Sequence, residues 1–391
     1  MAELSPIPCL TGCLLALLLA WLLGAAMRSL RIRHAWILSG VIAGVALGPT
    51  GLGRIAPAAQ ASLFHGATRE RDEAALAERT LEVARTASGS RAASLDPADE
   101  TRLEAEVMAS RERLRNARET FDFPAMWLVS LLATFVMVGV SPLLGRVAWW
   151  RGGGPAIGVW SASLPAAGLL AALSLHGSAS PETWWIIAAA IACVGGAPPR
   201  IRDRWITAQL AGPLAGGVEV ACAVAGMAAL ALVLAAAAAG ICDEPAWLMP
   251  WAGLLAAWGL AWAPAPALRR LARVALAGAV AIACTRLEMA ADWRGWIAVW
   301  TLVAIEDLRW LGATFGLMLW GGLGWTKSLR VCLPLADSSP AVAALASTAL
   351  LANAMPAWMS AAMIVAAAAV SLMEPLRRST AAHLERTLSG A

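Results

Sequence analysis

Apolar runs of about 20 residues recur along almost the whole chain, and this feature limits the possible folds more than any other. In lipid, only helices and closed barrels satisfy every backbone polar group, and a helix needs about 20 predominantly apolar residues to cross the bilayer. Hydrophobic residues make up 59% of the chain and charged residues 14%, whereas an ordinary soluble domain has about 25% charged residues. The sequence therefore predicts an all-α polytopic membrane protein.

The length criterion gives about eleven transmembrane helices. Basic residues concentrate in alternate loops, which the positive-inside rule assigns to the cytoplasm. We therefore expect an integral protein of the bacterial inner (plasma) membrane, with the N-terminus outside and the C-terminus cytoplasmic. Glu3 and the arginines after the first apolar run favour a mature first helix over a signal peptide. The predicted spans are 10–27, 35–52, 124–144, 155–175, 184–198, 206–240, 246–263, 267–285, 296–323, 331–353 and 356–373.

Residues 66–122 break this pattern because they are polar and rich in Ala, Glu and Arg. Interruptions at 88–90 and at Asp96-Pro97 predict an extramembrane helical hairpin on the outer side, with Glu78 and Glu82 facing Arg85 along one arm. We interpret it as a docking or oligomerisation arm, or as a decoration with a solvated face. Apolar residues at heptad spacing predict the seam between the arms: Leu76, Val83, Val107, Leu114 and Phe121.

The hairpin divides the chain into four parts. Residues 1–65 hold transmembrane helices 1 and 2, residues 66–122 the hairpin, residues 123–376 transmembrane helices 3–11, and residues 377–391 a cytoplasmic tail.

Two groups of charged residues interrupt the apolar runs. Glu219 is the only charged residue in 214–234, and Glu306, Asp307 and Arg309 lie close together inside 296–323. A charge at the centre of a membrane helix costs roughly 2.5 to 3.5 kcal/mol, so such residues usually face a protein interior or a water-filled cavity. They indicate an ion pathway or polar contacts between helices. For Glu306 and Asp307 the alternative is that helix tilt places them in a polar crevice without a direct role.

Other chemistry finds little support. The seven cysteines and four histidines are scattered, without paired CxxC units or zinc-type spacing. The net charge of +4 is spread along the chain, which argues against a nucleic-acid surface. Asp337-Ser338-Ser339 alone is too little for an intramembrane enzyme. We expect no enzymatic activity, no catalytic residues, no metal centre and no cofactor.

Residues 31–53 carry Gly40, Gly44 and Gly48 on one helix face, where small residues let a neighbouring backbone approach closely. The segment resembles the early signature of the monovalent cation:proton antiporter superfamily, especially its sodium/hydrogen exchanger-like and potassium-efflux branch. Small residues at this spacing also mark generic helix packing. Further segments are similar to the family in the same order along the chain: 146–163, 193–199, 217–220, 285–288, Arg309 and 336–340.

The resemblance implies a two-lobed fold of inverted repeats, which forms a homodimer and contains two interrupted helices. Such breaks expose backbone carbonyls and helix-dipole ends near the bilayer midplane. Gly and Pro also occur as tolerated kinks in membrane helices. The residues at the two breaks are Gly195, Gly196, Pro198 and Pro199 in the first, and Asp337, Ser338, Ser339 and Pro340 in the second.

The resemblance also implies exchange of protons for Na⁺ or K⁺ at Glu219, with Arg309 as a charge partner. Glu306 and Asp307 are additions to the family's pattern that we also expect to act as charge partners, and Glu306, three positions from Arg309, would neutralise it locally. A proton and a metal cation would compete for the one carboxylate of Glu219. Arg309 stands where the family usually has Lys, and Val218 where it often has a polar residue, so exchange would rest on Glu219 alone. Two alternatives stay open. Glu219 and Arg309 form a permanent packing pair, or the protein is a non-transporting scaffold or sensor that works through its outer hairpin.

Overall fold

A computed structural model describes most of the first three predicted spans, the hairpin and parts of the C-terminal half. Every regular element in these residues is helical, so the predicted all-α class is confirmed for them. The described residues are 7–30, 35–64, 68–90, 97–117, 120, 122–140, 249–250, 266–287, 296–297, 299–304, 307, 311, 314, 318, 324–325, 327–329, 339–352 and 357–389.

Ten helices lie within these ranges. Three helical segments in these ranges are long and apolar enough to cross a membrane: Ile7–Ser29, Ala35–Ile55 and Ala357–Arg377. This fits the predicted membrane protein. The predicted spans 155–175, 184–198 and 206–240 lie outside the described residues. The helices are α1 (Ile7–Ser29), α2 (Ala35–Leu47), α3 (Leu52–Ile55), α4 (Pro57–Phe64), α5 (Thr68–Ser90), α6 (Pro97–Ala117), α7 (Phe123–Val140), α8 (Pro266–Cys284), α9 (Ser339–Leu351) and α10 (Ala357–Ser389).

Helix α8 lies at the centre of the described bundle. Its residues from Ala275 to Cys284 are all buried, and it packs against α1, α2, α7 and α9. A helix that is apolar all round its last two to three turns needs such neighbours on every side. Helices α1, α2, α7 and α9 are therefore arranged around α8.

The contact between α2 and α8 uses the glycine face that the sequence singled out. A Cβ atom at Gly44 would lie 2.3 Å from the Cβ of Cys284 and 2.6 Å from the carbonyl oxygen of Ala281. One at Gly40 would lie 2.7 Å from the carbonyl oxygen of Ala277. The predicted close approach of a neighbouring backbone is confirmed. The contacts advance in the same direction along both helices, so α2 and α8 are parallel. This agrees with the predicted topology, in which they lie in the second and the eighth spans and therefore cross the membrane in the same direction.

Helix α2 ends earlier than its predicted limit at residue 52. Its last residue is Leu47, and the short helix α3 begins only at Leu52. The physical reason is Pro49, which has no N–H group to donate to the carbonyl of Val45. The Thr50 hydroxyl donates to that carbonyl instead, at 3.3 Å.

Helices α5 and α6 pack on each other as a helical hairpin, but the seam differs from the predicted one. Val107 is buried and Leu114 half-buried on α6, whereas Leu76 and Val83 on α5 are 69% and 65% exposed. Their predicted seam role is wrong, because small residues on another face of α5 let the arms approach more closely. Residues 88–90 are helical rather than interrupted, and Phe121 lies outside the described residues. The less exposed face of α5 carries Ala74, Ala77, Leu81 and Ala84.

Ion pairs join the two arms of the hairpin. Nε of Arg85 donates to Glu100 at 3.0 Å, and its Nη2 atom lies 2.5 Å from Glu104. Arg111 binds Glu78 from the other arm at 2.8 Å. The prediction paired Glu78 with Arg85 along one arm, but Glu78 reaches across because the facing arm presents its own arginine. These side chains are well exposed, and each such pair contributes about 1 kcal/mol or less.

The close contact at Gly44 can be tested by the addition of a single methyl group to this residue. We expect Gly44→Ala to lower the free energy of unfolding by about 1–3 kcal/mol, because the new Cβ overlaps with α8 and the core cannot expand freely. Gly53→Ala is the matched control, since its Cβ would meet nothing closer than 3.5 Å. Thermal unfolding of the purified protein in detergent measures both. Equal midpoints for the two variants would contradict the close contact.

Candidate functional site

Most of the predicted transport site lies outside the described residues. This applies to Glu219, Glu306 and Arg309, and to six of the eight residues at the predicted helix breaks: Gly195, Gly196, Pro198, Pro199, Asp337 and Ser338. Their roles stay predictions. Three predicted residues are described, namely Asp307, Ser339 and Pro340.

Ser339 and Pro340 are the first two residues of α9. Pro is favoured in the first turn of a helix, where its missing N–H group would have no intrahelical partner. The interruption of the helix before this point stays a prediction. Helix α9 packs on α7, α8 and α10.

Asp307 forms an ion pair with Arg377 of α10. Nη2 of Arg377 lies 2.5 Å from Oδ1 of Asp307, and the arginine side chain is 14% exposed. Sequence reasoning had assigned Arg377 to the tail that begins at this residue. Helix α10 continues through Pro375 to Ser389, so Arg377 lies on a helix that packs against α9 and α2. The pair neutralises one of the carboxylates that the sequence placed inside the membrane.

A second ion pair joins the base of the hairpin to the end of the central helix. Asp122 directly precedes α7, and Arg286 lies two residues after the last residue of α8. Nη1 of Arg286 donates to Oδ1 of Asp122, across a separation of 164 residues. The side chains are only 13% and 10% exposed for Arg286 and Asp122. Buried charges of this kind are tolerated only when paired.

The surroundings of this pair are apolar. Cys9 lies beside Cys13, one turn later on α1, and beside Arg286. Both cysteines are buried free thiols. They belong to a cluster that brings together α1, α4, the end of α6, the start of α7 and α8, and that we call the base cluster: Cys9, Cys13, Phe64, Ala117, Ala125, Met126, Val129 and Ile282.

Sequence reasoning missed the Asp122–Arg286 pair, although a signal was present. Arg286 is a basic residue in a loop predicted to lie outside, against the positive-inside rule. Asp122 is a carboxylate just before the predicted span 124–144, on the same side of the membrane, and could have been matched to Arg286. No cluster of three or more potential metal ligands occurs among the residues that the structure covers.

No protein-family model matches the chain, and comparisons with curated proteins and with solved structures found no match. The resemblance to the cation:proton antiporter superfamily therefore rests on the sequence motifs alone.

Removal of one partner from the buried pair should be far more costly than removal of one from an exposed pair. We expect Arg286→Gln to destabilise the protein by about 3–5 kcal/mol, because Asp122 would keep a buried charge without its arginine. Arg111→Gln on the hairpin should cost about 1 kcal/mol or less.

The double variant Asp122→Asn with Arg286→Gln removes both charges and should recover most of this loss. Chemical denaturation in detergent, followed by tryptophan fluorescence, measures all three variants. A double variant as unstable as Arg286→Gln would show that the uncompensated charge is not the cause.

Proposed function

We propose that this chain is a secondary active transporter that exchanges protons for a monovalent cation, Na⁺ or K⁺, as in the antiporter superfamily that it resembles. The observation that carries the proposal is Glu219, the single charged residue in the apolar run 214–234. A carboxylate in that setting is rare in membrane helices and usually marks an ion or proton pathway.

The proposed chemistry is competition for one site. Removal from water favours the neutral, protonated carboxyl, whereas a cation that enters the site favours the charged form. Each occupant therefore displaces the other, and alternating access to the two sides turns this competition into exchange. Na⁺ and K⁺ are hard cations that prefer oxygen ligands, and the carbonyls at the two predicted helix breaks would supply them.

The described structure supports this proposal in one respect. Asp307, one of the four acidic residues in the predicted spans, pairs with Arg377, whose side chain is 14% exposed. Glu306 is then the acidic residue closest in sequence to Arg309, three positions away along the chain. Local neutralisation of Arg309 by Glu306 would leave Glu219 free to exchange its occupants.

A scaffold or sensor that works through the outer hairpin is the second candidate. The Asp122–Arg286 pair favours it, because it ties the base of the hairpin to the central helix through buried groups. A hairpin that is only a solvated decoration would need no link to the membrane bundle beyond its covalent connections. The two candidates differ in whether ions cross the membrane.

The direct test is proton flux in vesicles reconstituted with the purified protein, driven by an inward gradient of Na⁺ or K⁺. We expect cation-dependent flux from the wild type and none from Glu219→Gln, which keeps the size of the side chain but cannot exchange a proton. Glu78→Gln on the exposed hairpin is the matched control and should transport normally.

Wild-type flux equal to that of empty vesicles, from protein that is folded and inserted, would contradict the transporter proposal and favour the scaffold. Flux that persists in Glu219→Gln would show that another group carries the proton.

A further inference from the structure

Helix α6, the second arm of the hairpin, is followed closely along the chain by α7 of the membrane bundle. Helix α6 ends at Ala117 and α7 begins at Phe123, and between them Thr120 and Asp122 have π-helical geometry. The Thr120 hydroxyl donates to the carbonyl of Asn116 at 2.8 Å. Helix α6 has 21 residues, which corresponds to a length of about 31 Å. It is an arm long enough to reach well beyond the membrane surface.

Among the described residues, the lower end of this arm is the part that packs on the bundle. Ala117 is buried in the base cluster, and Leu114 packs against that cluster. Further up, Met108 is 66% exposed, and the contacts of α6 are mainly with α5. The arm is therefore fixed at its base, while its upper part contacts the other arm and solvent.

The joint itself combines an unusual backbone with a buried ion pair. A π-helical turn is rare and usually occurs as a single turn at a functional position. Asp122 lies in this turn, and its carboxylate accepts from Arg286 at the end of α8. A shift of the arm would move Asp122, and Arg286 would then have to follow or lose its buried partner.

Helix α8 lies at the centre of the bundle and packs against α1, α2, α7 and α9. A shift of α8 would therefore also displace these neighbouring helices. Its contact with α2 has no free space at Gly44 or Gly40, so the two helices cannot slide independently.

We propose that Asp122 and the Arg286 side chain form a coupling joint, through which a displacement of the outer hairpin shifts the central helix α8. The proposal goes beyond the proposed function and holds for a transporter or a scaffold. In a transporter the joint regulates the membrane bundle from outside, and in a scaffold it reports occupancy of the hairpin to the membrane side.

The test uses an antibody fragment raised against the exposed face of α5 that carries Leu76 and Val83. Hydrogen exchange followed by mass spectrometry is measured on the full chain in lipid nanodiscs, with and without the fragment. Slower exchange in α5 proves binding. We expect binding also to change exchange at 280–287 by about fivefold, the lower end of typical coupling between two sites.

The double variant Asp122→Asn with Arg286→Gln keeps the shape of both side chains without their charges. We expect it to bind the fragment as the wild type does, and to lose the change at 280–287. The control is Glu78→Gln with Arg111→Gln, which neutralises an exposed pair on the hairpin and should leave the change intact. The swapped pair Asp122→Arg with Arg286→Asp should restore at least part of it.

Two outcomes would overturn the proposal. Binding to α5 without any change at 280–287 in the wild type would show that the arm and α8 are not coupled. An equal change in the wild type and the neutral double variant would show that packing alone, and not the ion pair, connects them.

Discussion

The close approach of α2 to α8 is the contact on which the rest of the described structure depends. The face of α2 that carries Gly40 and Gly44 has no room for larger side chains. The backbone of α2 therefore lies directly on Ala277, Ala281 and Cys284. In a membrane, where helices gain little from the hydrophobic effect, such packing is a main source of helix association. It encloses α8 from one side, and α1, α7 and α9 enclose it from the others. The end of α8, and with it Arg286, is thereby positioned beside Asp122 at the base of the hairpin.

Charge within this bundle occurs in pairs that join distant parts of the chain. Asp122 with Arg286 connects the hairpin to the central helix, and Asp307 with Arg377 connects the 296–311 segment to α10. A buried pair adds little net stability compared with apolar packing, but it penalises any arrangement that separates its members. The Asp122–Arg286 pair, with both side chains buried, thus selects one arrangement of helices that apolar packing alone would leave less well determined.

The sequence predicts the helical elements of this fold better than their contacts. Long apolar runs and the spacing of Gly40 and Gly44 are local signals, and both correspond to what the structure shows. Pairing between Asp122 and Arg286 depends on where two segments 164 residues apart meet, which no local pattern contains. The hairpin seam was misjudged for a related reason: Leu76 and Val83 have the right spacing, but the small face with Ala74 allows closer packing. For Glu219 the sequence supplies a chemical reason to expect exchange, and its surroundings lie outside the described residues.

The account depends most on Glu219 being reachable and able to exchange a proton for a cation. Labelling with a hydrophobic carbodiimide, which reacts with protonated carboxyls in membranes, tests this directly when the modified residue is located by mass spectrometry. We expect Glu219 to be labelled, and Na⁺ or K⁺, but not choline at the same ionic strength, to protect it increasingly as the pH rises. Failure to label Glu219 in folded protein, or labelling that neither alkali cation reduces at any pH, would contradict the proposed exchange.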